Sequence, residues 1–135
     1  MSEGVMASNS MGMADANADV LQVSTYDQLG VPVVLAQGDV DLCTTPTLRR
    51  ALETTCEKRE GAGTVAVDMR EVPFIDSAGL ALLVEIRKRF MEKVRLALVI
   101  ERGSQPERVL RLGRFDTFLQ VCYSPDELNA AVSPS

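Results

Sequence analysis

Two short segments of this 135-residue chain carry side chains whose types and spacing could do chemistry. One reads Phe74-Ile75-Asp76-Ser77-Ala78-Gly79-Leu80 and sets a serine hydroxyl beside a carboxylate, just where an apolar run at helical spacing begins. The other, Gly38-Asp39-Val40-Asp41 followed by Thr44 and Thr45, brings further acids and hydroxyls. A positioned hydroxyl can accept a phosphoryl group, and Asp76 or Asp41 could hydrogen-bond the Ser77 hydroxyl or orient it for that transfer. Gly79, two residues on, would keep the turn open to a large partner. The plainer reading makes Ser77 a helix N-cap, Asp41 a loop acid capping the next helix, and Gly38 and Gly79 turn residues.

Other chemistries find little support. There is no histidine, so histidine-dependent acid–base catalysis is excluded, and a zinc site would need an unusual ligand set. Cys43, Cys56 and Cys122 lack metal-ligand spacing, and an odd count without a secretory signal favours reduced thiols. Cys56 falls on an apolar helix face and Cys122 in a strand, so both are expected to be buried. With no P-loop, metal cluster or nucleophile–base pair, the chain reads as a non-enzyme without a cofactor.

Charge narrows the partners. The net charge is −5, and all 14 Lys and Arg lie between Arg49 and Arg114. An acidic chain without a concentrated cationic face is a poor nucleic-acid binder. The run Arg87-Lys88-Arg89 sits late in a helix, where it complements the helix dipole. No apolar run approaches the roughly 18 residues of a membrane span, and the N-terminus lacks signal-peptide character, so a cytoplasmic location is expected.

The elements that must position the two segments follow from periodicity. Residues 1–18, rich in Ser, Asn, Gly, Ala and Met, read as a disordered tail, and residues 19–135 as one domain. Leu21, Val23 and Thr25 alternate with polar neighbours as in an edge strand, and Val33 to Ala36 forms its hairpin partner across Gly30 and Pro32. Thr45-Pro46 opens a helix through Cys56, with Thr45 as cap. Thr64 to Met69 is a covered strand, Ser77 to Phe90 a helix, and Arg95 to Ile100 another strand. Ser104-x-x-Glu107 is a capping box for a short helix ending at Gly113. Phe118 to Tyr123 is a last strand, and Ser124-Pro125-Asp126-Glu127 opens a final helix with Leu128, Ala131 and Val132. The order ββαβαβαβα is that of an α/β fold with a mostly parallel mixed sheet packed with helices. Right-handed crossovers then bring both chemical segments to the C-terminal edge of the parallel strands, where ligands of open sheets gather.

The segments GDVDLCTTPTLRRAL and VAVDMREVPFIDSAGLALLVEIRKRF together resemble the STAS domain, named for sulfate transporters and anti-sigma factor antagonists. The similarity spans roughly residues 20–133. It implies the STAS-like fold and the function of an anti-sigma factor antagonist. In that role the free form binds an anti-sigma factor that is also a serine kinase, which releases sigma factor, and phosphorylation on Ser77 switches binding off. A serine phosphatase would reset the switch. By the same resemblance, Asp39, Asp41, Thr44, Asp76, Ser77, Ala78 and Gly79 form the partner-binding site. Two departures stand out: Ala78 replaces a commoner second Ser or Thr, and Phe115 stands where a Gly-Leu pair is commoner. The resemblance leaves self-association open. It also admits a second role, as a STAS subunit of a membrane lipid-transport complex. A receiver-like phosphoaspartate site at Asp68, taken as the end of a strand, would need a lysine near the last strand, and none is there.

Overall fold

The computed structural model describes residues 20–130. The tail expected at residues 1–18, and Ala131 and Val132 of the last helix, lie outside the described residues. Five strands form one sheet in the order β1-β2-β3-β4-β5: Gln22–Gln28, Val31–Gln37, Gly63–Glu71, Val94–Val99 and Gln120–Cys122. β1 runs antiparallel to β2, and the other pairs are parallel. The helices are α1 (Thr45–Lys58), α2 (Ser77–Phe90), α3 (Gln105–Leu112) and α4 (Asp126–Ala130). The mixed α/β architecture expected from the sequence is the one observed.

The hairpin turn has both central residues at positive φ, Leu29 at 47° and Gly30 at 93°, the backbone a two-residue hairpin turn requires. One face of the sheet (Val34, Ala36, Val65, Val67, Met69, Leu96, Leu98) packs on Leu48 and Leu52 of α1, Leu82, Leu83 and Ile86 of α2 and Leu110 of α3. Each such leucine or isoleucine, fully buried, contributes about 2 kcal/mol. The other face is smaller: Val31, Val33, Ala66, Ala97, Val99 and Cys122 cluster with Leu128 of α4. Cys56 and Cys122 are buried and Cys43 is exposed; burial pushes the Cys56 and Cys122 thiols up to about 11.

Several local expectations need correction. β3 runs on to Glu71, so Asp68 does not end a strand. It is 1% exposed on the smaller face, where Arg70 and the Tyr26 hydroxyl hold its carboxylate (2.8–3.0 Å). The last strand is only Gln120–Cys122, because Phe115–Thr117 makes a 3-10 turn whose hydrogen bonds continue to Phe118 and Leu119. Thr44, not Thr45, occupies the cap position of α1, and its hydroxyl bonds the preceding loop instead of the helix.

Candidate functional site

At the C-terminal edge of β2 and β3 the two chemical segments meet. β2–β3 pairing is prolonged past the sheet by a bridge between Val40 and Ile75, with Val40 N–H donating to the Phe74 carbonyl (2.9 Å) and Asp76 N–H to the Val40 carbonyl (3.1 Å). Gln105, at the start of α3, closes the arrangement from the other side. Its side-chain oxygen accepts from Ile75 N–H, and its amide donates to the Ile75 carbonyl, both at 2.9 Å. Three loops are therefore joined by backbone-type hydrogen bonds under Ser77.

The helix cap is Asp76, not Ser77. One Asp76 carboxylate oxygen accepts from Gly79 N–H (3.0 Å), and the other accepts from Leu42 N–H (3.2 Å) in the opposite loop. An aspartate at this position satisfies an otherwise orphaned helix donor and suits the positive end of the helix dipole. Ser77 is the first residue of α2, exposed, and its hydroxyl has no hydrogen-bond partner among the described residues.

Asp41 serves its own loop. Its carboxylate accepts from Cys43 N–H and Thr44 N–H at 3.0 Å, while Asp41 N–H donates to the Thr44 hydroxyl (2.9 Å), which itself donates to the Asp39 carbonyl. Neither acid bonds the Ser77 hydroxyl, so neither orients it as the sequence suggested. Asp39 is exposed and Ala78 partly exposed beside Ser77.

Gly79 is buried. A Cβ there would lie 2.6 Å from Ile75 Cγ1 and 2.8 Å from Val40 Cγ1. The glycine lets the first turn of α2 press onto the bridge that carries the loops; it does not hold the surface open. The other glycine, Gly38, sits at φ 120° and needs its freedom where β2 leaves the sheet.

The apolar members of this edge carry no period that marks them in the sequence as functional. Leu42 is 73% and Phe74 43% exposed, flanking the joined loops. From Ser77 a groove of about 760 Å³ runs along α2 between Leu80, Ala81, Val84 and Lys88 on the helix and Phe115 of the 3-10 turn. Phe115, marked in the sequence only as a departure, forms a wall of that groove. The available signal was a large apolar residue in a loop with no helical or strand period to bury it.

Asp76→Ala should remove both loop-fixing bonds. We expect a loss of about 1 kcal/mol in chemical denaturation, with faster hydrogen exchange at the Leu42 and Gly79 amides. Unchanged exchange at both would show that the cap does not hold the loops.

Chemically, the edge offers a free hydroxyl at a helix N-terminus, on a fixed platform, beside an apolar groove. Asp41 and Asp76, the two acids that could have oriented the hydroxyl, are both committed to backbone donors. Residues 22–128 match the family model described as the STAS domain. The anti-sigma-F factor antagonist RsfB of Mycobacterium tuberculosis is 29% identical over 98 residues, covering 73% of this chain and 78% of RsfB. The fold is similar to the crystal structure of an anti-sigma factor antagonist from Mycobacterium paratuberculosis (TM-score 0.75, 23% identity, 84% of this chain and 95% of that one). It is also similar to the anti-sigma factor antagonist SpoIIAA in its unphosphorylated form (TM-score 0.59, 18% identity, 86% and 100% coverage).

Proposed function

Because this chain belongs to the STAS domain family, we propose that it is an anti-sigma factor antagonist whose unphosphorylated form binds an anti-sigma factor that is also a serine kinase. Phosphorylation of Ser77 by that kinase ends the binding, and a serine phosphatase restores it. The observation that carries this reading is the Ser77 hydroxyl: exposed, without a hydrogen-bond partner among the described residues, and standing at the mouth of the α2 groove. The names of RsfB and of the two solved structures support the antagonist role.

The hydrogen bonding of the two acids supports a division of labour. This chain supplies the acceptor and its placement; the kinase supplies nucleotide, metal and base, since Asp41 and Asp76 are occupied by backbone N–H groups. In the complex, Leu42, Phe74 and the groove between α2 and Phe115 provide apolar contact around the acceptor. Phosphate adds about −1.5 to −2 charges at neutral pH, next to Asp76 and on the loop joined to that of Asp39 and Asp41. The helix N-terminus tolerates that charge, so the fold persists and the penalty falls on the interface.

The reading is tested by mixing the unphosphorylated protein with a purified complex of anti-sigma and sigma factor from the same organism. Free sigma factor should separate on size-exclusion chromatography, and protein first treated with kinase and ATP should leave the complex intact. Release that is insensitive to phosphorylation would remove the switch, and no release by either form would remove the antagonist role.

A further inference from the structure

The edge of the sheet opposite Ser77 carries a second recess, of about 850 Å³, around the starts of β3 and β4. Four cations line it, Arg59, Arg87, Lys93 and Arg95, against the single carboxylate of Glu92, in a chain of net charge −5. None of the four is salt-bridged among the described residues, whereas Arg49, Arg70, Arg89 and Arg111 all are.

The cations are neighbours through the backbone. Gly63 N–H donates to the Lys93 carbonyl (3.0 Å), Lys93 Nζ reaches the Glu57 carbonyl at the end of α1, and Thr64 pairs with Arg95. Arg59 folds flat over Gly63: a Cβ on that glycine would fall among its Nη2, Cζ and Nε atoms. Among the described residues its buried Nε has no hydrogen-bond partner, and its one side-chain hydrogen bond is a long one, 3.5 Å from Nη2 to the Ala62 carbonyl. Arg87 is held at the Phe118 carbonyl (2.9 Å) with its guanidinium over the Phe118 ring.

The ends of α1 and α2 account for part of this charge, since a helix C-terminus offers roughly half a negative charge. They do not account for a desolvated guanidinium donor, the Arg59 Nε, that finds no acceptor among the described residues. Nor do they account for the apolar wall of Met91, Leu96 and Phe118 alongside.

We propose that this recess binds a small ligand bearing a phosphate group, with an apolar body against Met91 and Phe118. Several guanidinium and ammonium groups favour a doubly charged tetrahedral oxyanion over a carboxylate, and the arginine fork matches its geometry. The site is separate from Ser77 and does not rest on the switch.

The test is an NMR titration of the full chain with inorganic phosphate and phenyl phosphate, beside chloride at equal ionic strength. Saturable shifts at the Gly63 and Lys93 amides and the Arg59 Nε–H are expected with both phosphates, tighter with phenyl phosphate, and absent with chloride. Arg59→Gln should weaken binding about tenfold. Gly63→Ala, which puts a methyl where the guanidinium lies without changing charge, should do the same. Vesicles of phosphatidylglycerol distinguish the source. Vesicle binding lost in Arg59→Gln assigns a lipid headgroup, and binding of phenyl phosphate alone assigns a soluble ester; either supports the site. Shifts that track ionic strength only, or an Arg59→Gln protein that binds like wild type, overturn it.

Discussion

Ser77→Ala should bind the anti-sigma partner as tightly as the unmodified protein and stay bound in the presence of ATP. The substitution removes only an exposed hydroxyl that makes no hydrogen bond among the described residues, so no structural loss should accompany it. Phosphorylation of the wild type should weaken binding more than a hundredfold, which corresponds to roughly 3 kcal/mol at the interface. Ser77→Asp carries only about half the phosphate charge, so its loss should be partial. Surface plasmon resonance on the three proteins checks the ranking, and mass spectrometry after kinase treatment should find the phosphate on Ser77 alone. A phosphate found elsewhere, or an aspartate variant that binds like wild type, would sink the switch as drawn; the lipid-transport role would then become the leading reading.

The second large effect concerns stability and lies on the smaller face of the sheet. Asp68 is 1% exposed, and its carboxylate accepts from Arg70 Nε and Nη2, Arg70 N–H and the Tyr26 hydroxyl. Burial pushes Asp68 upward, but the Arg70 hydrogen bonds and charge outweigh it and hold the carboxyl below its ordinary value. Burial and the same carboxylate push the Tyr26 hydroxyl up to about 12. Arg70→Met should therefore cost roughly 3 kcal/mol near neutral pH, at the low end for a broken buried pair because the guanidinium is partly solvated. That amounts to a fall of about ten degrees in thermal midpoint. Adding Asp68→Asn should recover part of the loss, since no unpaired charge then remains buried.

The pH dependence has a definite sign. In the wild type the Asp68 pKa is depressed in the fold, so its stabilisation is complete above the unfolded value and lost as pH falls through the folded one. In Arg70→Met the buried carboxylate has lost its cation and its pKa rises, so the deficit against wild type should shrink as pH drops toward about 4. Denaturant titrations at neutral and acid pH measure both slopes. A deficit independent of pH would mean that Arg70 contributes packing and not charge.

Most of the architecture was legible because each element keeps its period. The alternation of β1, the apolar run of β3 and the three- and four-residue spacing of α2 have few other solutions. The last strand was overestimated for a physical reason. Phe118 continues the apolar run that reaches Tyr123, but its ring lies tilted against Phe115 (5.8 Å between centroids) as part of a tight turn. Within the site, the sequence places Asp76 and Ser77 side by side and cannot say which caps the helix, because both residue types do so well. The Asp76 bond to Leu42 spans 34 residues, and the Ile75 and Val40 atoms that crowd Gly79 come together only once β2 and β3 have paired. The arginine recess was hidden for the same reason. Its residues are scattered from Arg59 to Arg95 and look like ordinary solvated charge until the strand starts align.

The paired bonds between Gln105 and Ile75 have a bearing on how a signal leaves this molecule. A side-chain amide that gives one hydrogen bond and takes another at a single residue imitates a neighbouring strand. The loop ahead of Ser77 is thereby stitched to α3 on one flank and to the Val40 loop on the other. A segment tied on both flanks has no slack in which to relay a change of shape inward. Under the proposed switch, a phosphate on Ser77 would add charge to a fixed surface, legible only to a molecule that touches it, and the interior should stay the same in both states.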